Sequence, residues 1–271
     1  MKVSVNGKIN IGLKVTGESG GLHTLDGLFH SIGLCDEFDF SHKGIKVNDE
    51  TGETDCVRYG KYLSIMADKF GIDGIEVVKR VPLGGGLGGG TTALVAIATY
   101  LEIARKQKIT DEFLLSLGSD VPFMYKGGFA RVRGFGEKAD FYPPINYFAL
   151  LVKSGEVSTG EAYKRLGEKG KLQFSNDDIF ENLVMGKENF TAHNDLFSAA
   201  CELNRDVEIL YDKLNRYGLP CFMSGSGATI VALSKSKKKL TEISEELSGE
   251  KNCEKFFKKI VGFEKTGKSV K

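Results

Sequence analysis

Residues 81–92 read Val81-Pro82-Leu83-Gly84-Gly85-Gly86-Leu87-Gly88-Gly89-Gly90-Thr91-Thr92, six glycines in seven positions running straight into the apolar, alanine-rich segment Ala93–Leu101. Glycine loses more conformational freedom on ordering than any other residue, so a loop this rich in it needs something to offset the cost. A backbone without Cβ atoms lets its N–H groups approach an anion closely. The next segment reads as a buried helix whose first turn adds unpaired N–H groups and the positive end of the helix dipole. Loop and helix start together predict a phosphate cradle. Two other phosphate-binding patterns fail. No lysine precedes Thr91, as a Gly-Lys-Ser/Thr ending requires. No acidic residue follows where a dinucleotide fold needs one, since residues 106–110 read Lys106-Gln107-Lys108-Ile109-Thr110.

Upstream, Ile75–Val81 reads as a short strand ended by Pro82. Asp55–Phe70 has apolar residues at helical spacing (Val57, Tyr62, Ile65, Met66, Phe70), and Gly71 stops it. Residues 2–5 and 8–15 read as strands, and Leu25–Leu34 stays apolar up to Cys35-Asp36. Downstream, helices are predicted over Thr91–Lys106 and Thr110–Leu117, and strands over Gly127–Val132 and Tyr147–Val152. The second half predicts helices around 158–166, 191–203 and 205–217. A strand–loop–strand segment Cys221–Leu233 follows, then an amphipathic helix with Leu240, Ile243 and Leu247. Strands and helices mix without regular alternation, which predicts an α+β fold. Pro143-Pro144 marks a break, predicting one domain over 1–145 and a second over 146–271.

With 41% apolar and 27% charged residues, the 271-residue chain has the balance of a soluble globular protein. A formal net charge of +1 supplies no global field for nucleic acid or anionic membrane, so any charged ligand must be held by a local site. The five cysteines include no C-x-x-C pair, which argues against a disulfide framework or a structural zinc site and for a reducing, cytoplasmic setting. No apolar leader is visible at the start, and no apolar run approaches the length of a bilayer span.

Three separated segments together resemble one family, the GHMP kinases. Pro82 through Gly86-Leu87-Gly88 to Thr91-Thr92 looks like its central P-x-x-x-G-L-G-S-S motif. Gly7-Lys8-Ile9-Asn10-Ile11 resembles the first motif and Met223-Ser224-Gly225-Ser226-Gly227-Ala228-Thr229 the third. Within the family, four features look most like the branch that phosphorylates a cytidyl-methylerythritol alcohol. They are Gly7–Asn10, Gly21-Leu22-His23-Thr24-Leu25, the loop itself, and Leu117-Gly118-Ser119-Asp120-Val121-Pro122-Phe123; the turn Gly134-Phe135-Gly136-Glu137 adds to them. The resemblance implies a ribosomal-S5-like N-terminal domain joined to a ferredoxin-like C-terminal one, with the site between them. It also implies ATP with Mg²⁺, and transfer of a phosphoryl group to the alcohol's 2-hydroxyl.

The resemblance further implies roles. Asp120 would accept or orient the hydroxyl proton, and Lys8 would stabilise charge during transfer. By local sequence alone, Asp120 also fits a helix N-cap before Val121-Pro122. Pro82, Gly84, Gly85, Gly86, Leu87, Gly88, Gly89 and Gly90 would cradle the nucleotide phosphates, and Thr91 and Thr92 would meet phosphate, with Thr92 a candidate Mg²⁺ contact. Asn10 alternates with Lys8 and so shares its strand face. Asn10, Leu22, His23, Thr159, Tyr163, Gly225 and Ser226 would bind the alcohol, with His23 reading cytosine and Tyr163 stacking on it. Leu22 stands where the branch has Tyr, Ala93 where it has Asn, and Asp55-Cys56-Val57-Arg58 where Asp-Asn-Leu is expected. Other readings stay open: a GHMP kinase for a mevalonate-, homoserine- or sugar-type alcohol, a non-catalytic nucleotide binder, or an S5-like RNA-binding module. The partner is expected to be a small molecule, with no nucleic acid or membrane, and the chain a monomer or homodimer.

Overall fold

The computed structural model describes residues 1–52, 54–169, 174–250 and 256–271; for Leu22 and residues 167–169 it describes the backbone alone. Two long strands, β1 (Lys2–Ser19) and β2 (Leu22–Asp39), form an antiparallel hairpin that is the spine of the molecule. β3 (Gly44–Asp49), α1 (Cys56–Lys69) and β4 (Gly74–Lys79) follow, with β3 parallel to β4 and β4 antiparallel to the end of β2. The glycine loop leads into α2 (Thr91–Ala104), then α3 (Asp111–Leu117), α4 (Val121–Lys126), β5 (Phe129–Gly134) and β6 (Lys138–Tyr142). The second half holds β7 (Phe148–Lys153), α5 (Thr159–Lys169), α6 (Asn176–Val184), α7 (Phe197–Leu203), α8 (Asp206–Asn215), β8 (Cys221–Met223), β9 (Thr229–Ser234) and α9 (Lys237–Gly249). The chain ends with β10 (Phe257–Glu264) and β11 (Lys268–Val270). β10 pairs both β7 and β2, and β11 pairs β1, so the end of the chain returns to the hairpin where it began.

One apolar cluster joins Val3, Val5 and Phe38 of the hairpin to Leu63 of α1 and Val95 of α2. A second joins Ile9, Ile11 and Leu28 to Leu151, Val231 and Ile179. The α+β class expected from the sequence holds, as do the strand–loop–strand at 221–233 and the buried stripe Leu240, Ile243, Leu247 of α9. Two expectations are corrected. In α1 the core face is Tyr59, Leu63 and Ala67, while Val57 and Ile65 are 70% and 61% exposed. Tyr62, Met66 and Phe70 of the expected spacing pack half-buried against the same core, so the spacing found the helix and most of its inner side. The helix expected over 191–203 begins only at Phe197; Asn194 and Asp195 before it bond to β1 and to the loop after β8 rather than continuing a helix.

β1 carries register shifts on either side of Lys8–Asn10, between Asn6 and Lys8 and between Asn10 and Gly12. Such bulges re-aim side chains within a strand. Here they frame the two polar residues that β1 buries, Lys8 at 4% and Asn10 at 2% exposure.

His30 of β2 is fully buried between the rings of Phe129 and Phe263. Its Nδ1–H donates to Ser31 O at 2.8 Å, and Nε2 has no partner among the described residues. Burial lowers its pKa from 6.5 to about 4, so the folded protein holds the ring neutral. As pH falls below 6.5 the unfolded chain takes up this proton first, and stability is lost until the folded ring also titrates near 4. The expected loss at pH 5 is about 2 kcal/mol. Urea unfolding at pH 7 and pH 5 should show that extra loss in wild type relative to His30→Leu; equal pH dependence in the two proteins refutes the assignment.

Candidate active site

Lys8 reaches into a cavity of about 240 Å³ between the hairpin, the glycine loop and α5. Its Nζ donates to Asn10 Oδ1 at 2.5 Å and lies 3.3 Å from Asp120 Oδ2. Lys8 also sits over the Phe29 ring, 5.2 Å from its centroid. Asp120 occupies the N-cap position of α4, yet its side chain makes no capping hydrogen bond. The carboxylate, with 29% of its side chain exposed, faces the cavity and the ammonium instead. Of the two roles the sequence left open for Asp120, the geometry leaves it outside the capping one.

The glycine loop is anchored by its carbonyls. Gly84 O accepts from Ala228 N at 3.1 Å, Leu87 O from Lys8 N at 3.0 Å, and Gly86 O from Ser224 Oγ at 2.9 Å. Among the described residues, no N–H from Gly84 to Gly90 donates to a protein acceptor. The loop therefore offers a run of unspent donors where α2 begins. Gly90 lines the cavity, and a Cβ there would meet nothing within 4 Å. Gly86 and Gly88 serve the fold as well: both have positive φ, 71° and 78°, and a Cβ on Gly86 would overlap Ser224 O while one on Gly88 would come 2.5 Å from Met124 Sδ.

Fourteen of the expected site residues line this one cavity: Lys8, Asn10 and Asp120, six glycines of the loop (84–86 and 88–90) with Thr91, and Thr159, Tyr163, Gly225 and Ser226. Thr159 Oγ1 and Ser226 Oγ lie 2.8 Å apart, joining α5 to the third glycine loop. Burial, with the charge of Asp120 adding to it, pushes the Tyr163 phenol up to about 12, so it stays protonated. Pro82 and Leu87 face the interior instead, and Leu87 belongs to the apolar core. Thr92 is corrected outright. Its hydroxyl is fully buried, 2.6 Å from Asp36 Oδ2 and 2.9 Å from Gly89 O, and is out of reach of a phosphate or a metal ion.

His23 stacks on Tyr163, with ring centroids 4.7 Å apart and planes 12° from parallel. Both line an adjoining cavity of about 350 Å³ with Gly21, Ser119, Phe135 and Lys164. The side chain of Leu22 lies outside the described residues. On the other side of the glycine loop, a cavity of about 680 Å³ shares Gly84, Gly90 and Thr91 with the first and is walled by Tyr59, Tyr62, Leu83 and Leu94. Asp55 and Arg58, from the segment that departs from the expected pattern, lie at its edge.

The sequence of residues 56–128 matches the model described as "GHMP kinases N terminal domain", and 179–252 matches "GHMP kinases C terminal". A 4-diphosphocytidyl-2-C-methyl-D-erythritol kinase of Fusobacterium nucleatum is 31% identical over 256 residues, covering 84% of this chain and 86% of the relative. The chain belongs to the GHMP kinase family. This GHMP kinase is also 34% identical to the chloroplastic 4-diphosphocytidyl-2-C-methyl-D-erythritol kinase of Oryza sativa over 255 residues. It spans 62% of the length of that plant protein and of its Mentha piperita counterpart. Its fold is shared by a crystal structure of a 4-(cytidine 5'-diphospho)-2C-methyl-D-erythritol kinase, with a TM-score of 0.73 at 24% identity over 97% of this chain and 98% of that one. A homoserine kinase from Cytophaga hutchinsonii has the same fold, with a TM-score of 0.63 at 20% identity over 100% of this chain and 97% of that one.

Sequence reasoning missed the supports of this GHMP kinase site. Asp36, fully buried, accepts from Arg80 N at 2.7 Å, Val81 N at 2.8 Å and Lys79 Nζ at 2.5 Å, besides contacting Thr92. One carboxylate thus ties both ends of the glycine loop to β2. The signal was present as an acid ending the apolar run Leu25–Leu34, but its partners lie more than 40 residues away.

Proposed function

We propose that the chain is an ATP-dependent kinase that phosphorylates the 2-hydroxyl of 4-diphosphocytidyl-2-C-methyl-D-erythritol, a step of non-mevalonate isoprenoid precursor synthesis. The observation that carries this reading is the run of unspent N–H donors from Gly84 to Gly90 opening onto the cavity that holds Lys8 and Asp120. Backbone donors at a helix start favour phosphate oxygens. The 680 Å³ cavity continuing past Gly90 and Thr91 offers apolar and aromatic walls for the adenine base. The alcohol then lies on the other side, between Asp120 and the His23–Tyr163 stack.

In this arrangement Asp120 accepts or orients the proton of the attacking hydroxyl. The ammonium of Lys8, held by Asn10, faces the charge that builds on the transferring group. Asn10 fixes the direction of that ammonium and offers its amide to an alcohol oxygen. Magnesium suits the donors present. It keeps most of its waters and takes phosphate oxygens, needing only one or two protein oxygens. Thr91, on the cavity wall beside the glycine loop, would supply such an oxygen, and no cluster of three acidic, His or Cys ligands exists among the described residues. A bound Mg²⁺ supplies neutralisation of phosphate charge.

The relatives that match over most of their length bear this kinase's name, which supports the choice of alcohol. The division into domains 1–145 and 146–271 rests on β7 opening a second set of strands, although β10 and β11 return to the first. No helix of the described residues is long and apolar enough to cross a membrane, and we place the protein in the cytoplasm of its cell.

ADP release measured across alcohols with and without the cytidyl group tests the function. The cytidyl compound should exceed its uridyl analogue strongly in kcat/KM, because a site that pairs with a substrate N–H rejects one that leaves its polar groups unpaired. Equal use of cytidyl and uridyl compounds, or of free methylerythritol, points to a GHMP kinase of a different alcohol.

A further inference from the structure

Asn194, 5% exposed and outside the cavity, lies between the third glycine loop and β1 just ahead of α7. Its amide nitrogen donates to Met223 O at 2.9 Å and Gly225 O at 2.8 Å, and its oxygen accepts from Leu196 N at 2.9 Å. Both N–H groups and an oxygen lone pair are therefore committed. The same segment is stapled to β1, because Leu13 N donates to His193 O at 3.0 Å and Asp195 N to Leu13 O at 2.9 Å.

The peptide that Asn194 holds is part of the cavity floor. A Cβ on Gly225 would lie 3.1 Å from Asn10 Oδ1 and 3.2 Å from Gly86 Cα. The neighbouring Ser224 hydroxyl accepts from Asn10 N at 3.1 Å and donates to Gly86 O at 2.9 Å. Asn10 in turn holds Lys8, and Lys8 reaches Asp120. A chain of contacts thus runs from Asn194 through the carbonyls flanking Ser224, the Ser224 hydroxyl, Asn10 and Lys8 to the carboxylate.

We propose that Asn194 is a positioning residue for phosphoryl transfer: its amide sets the Gly225 peptide against Asn10 and so fixes Lys8 relative to Asp120. This rests on the kinase reading above. The amide suits the task because it offers two N–H groups to two carbonyls in one plane. Aspartate has the same shape but no N–H, and would bring a charge against both carbonyls, so the loop must back away. A displacement of about 1 Å at reacting groups costs about 100-fold in rate. The phosphate loop keeps two anchors outside the third glycine loop, Lys8 N on Leu87 O and Val157 N on Gly84 O, so ATP binding is expected to suffer less than kcat.

Asp195 supplies the matched control. It lies on the same segment and is as buried, at 4%, but accepts from Val15 N at 2.7 Å, further along β1 and away from the cavity. The experiment compares Asn194→Asp and Asp195→Asn by steady-state kinetics and by hydrogen exchange of the unliganded proteins. Asn194→Asp is expected to lower kcat about 100-fold with KM for ATP within about threefold, and to speed exchange at Asn10 and Gly227, whose N–H groups donate to the hydroxyl and the carbonyl oxygen of Ser224. Asp195→Asn is expected to speed exchange at Val15 and keep kcat within about threefold. If Asn194→Asp does not fold, Asn194→Ser keeps a single donor and should lose kcat about tenfold. Equal kcat losses in the two variants, or unchanged exchange at Asn10 and Gly227, overturn the proposal. Should the wild-type protein phosphorylate none of the alcohols, the reaction reading fails, and the exchange comparison still decides whether Asn194 holds the loop.

Discussion

Asp120→Asn should lower kcat about 100-fold or more while leaving ATP affinity nearly unchanged, the range that general acid–base catalysis spans. The substitution keeps the shape of the side chain and removes its charge. Because the carboxylate makes no capping hydrogen bond to α4, little stability is at stake, and a loss of rate reads directly as a loss of chemistry. Lys8, 3.3 Å away, retains its bond to Asn10 in the variant and still faces the transferring group. Rapid-quench turnover with saturating ATP, together with calorimetric ATP binding, checks both halves. Near wild-type turnover would remove Asp120 from the mechanism and leave Lys8 and the loop to account for it.

Gly90→Val should abolish measurable ATP binding with the fold intact. The open space around a Cβ at this position, with φ of −77° already in the helical region, means that the new side chain clashes with no protein atom. It enters the space above the unspent N–H groups where phosphate oxygens approach. The obvious sequence-based choices, a side chain at Gly86 or at Gly88, make poorer probes. Both positions need positive φ and press on Ser224 or Met124, so those variants lose the fold along with the ligand. Calorimetry with ATP and a thermal melt of Gly90→Val separate the two effects. Unchanged ATP affinity would move the phosphates away from this loop, and a collapsed melt would show that Gly90 supports the fold after all.

Much of the site was legible because its parts are local. A glycine loop declares itself through composition, and Lys8 and Asn10 share a face by strand alternation alone. Asp120 precedes a proline that opens a short helix. What stayed hidden depends on contacts distant in sequence. Thr92 looks like a phosphate ligand from its place at a helix start, but Asp36, 56 residues earlier, claims its hydroxyl. The 191–203 segment looked helical until β1 and the third loop captured Asn194 and Asp195. In α1 the spacing found the helix, but Val57 and Ile65 face solvent while Tyr59 and Ala67 are buried, because a periodic pattern does not show which weakly apolar residues the core accepts.

The sequence by itself determined the α+β class, a glycine-rich run at residues 84–90 leading into an apolar helix, and a shared strand face for Lys8 and Asn10. These rest on short-range chemistry: backbone freedom at glycine, alternation along a strand, the donors at a helix start. Only the tertiary structure decided which glycines open onto the cavity and which press on neighbouring groups, that the Asp120 side chain makes no capping hydrogen bond, and that Asn194 and Asp36 hold the loops. A hydrogen bond between residues tens to hundreds of positions apart leaves no periodic trace in the chain, and its partners become known only when packing brings them within 3 Å.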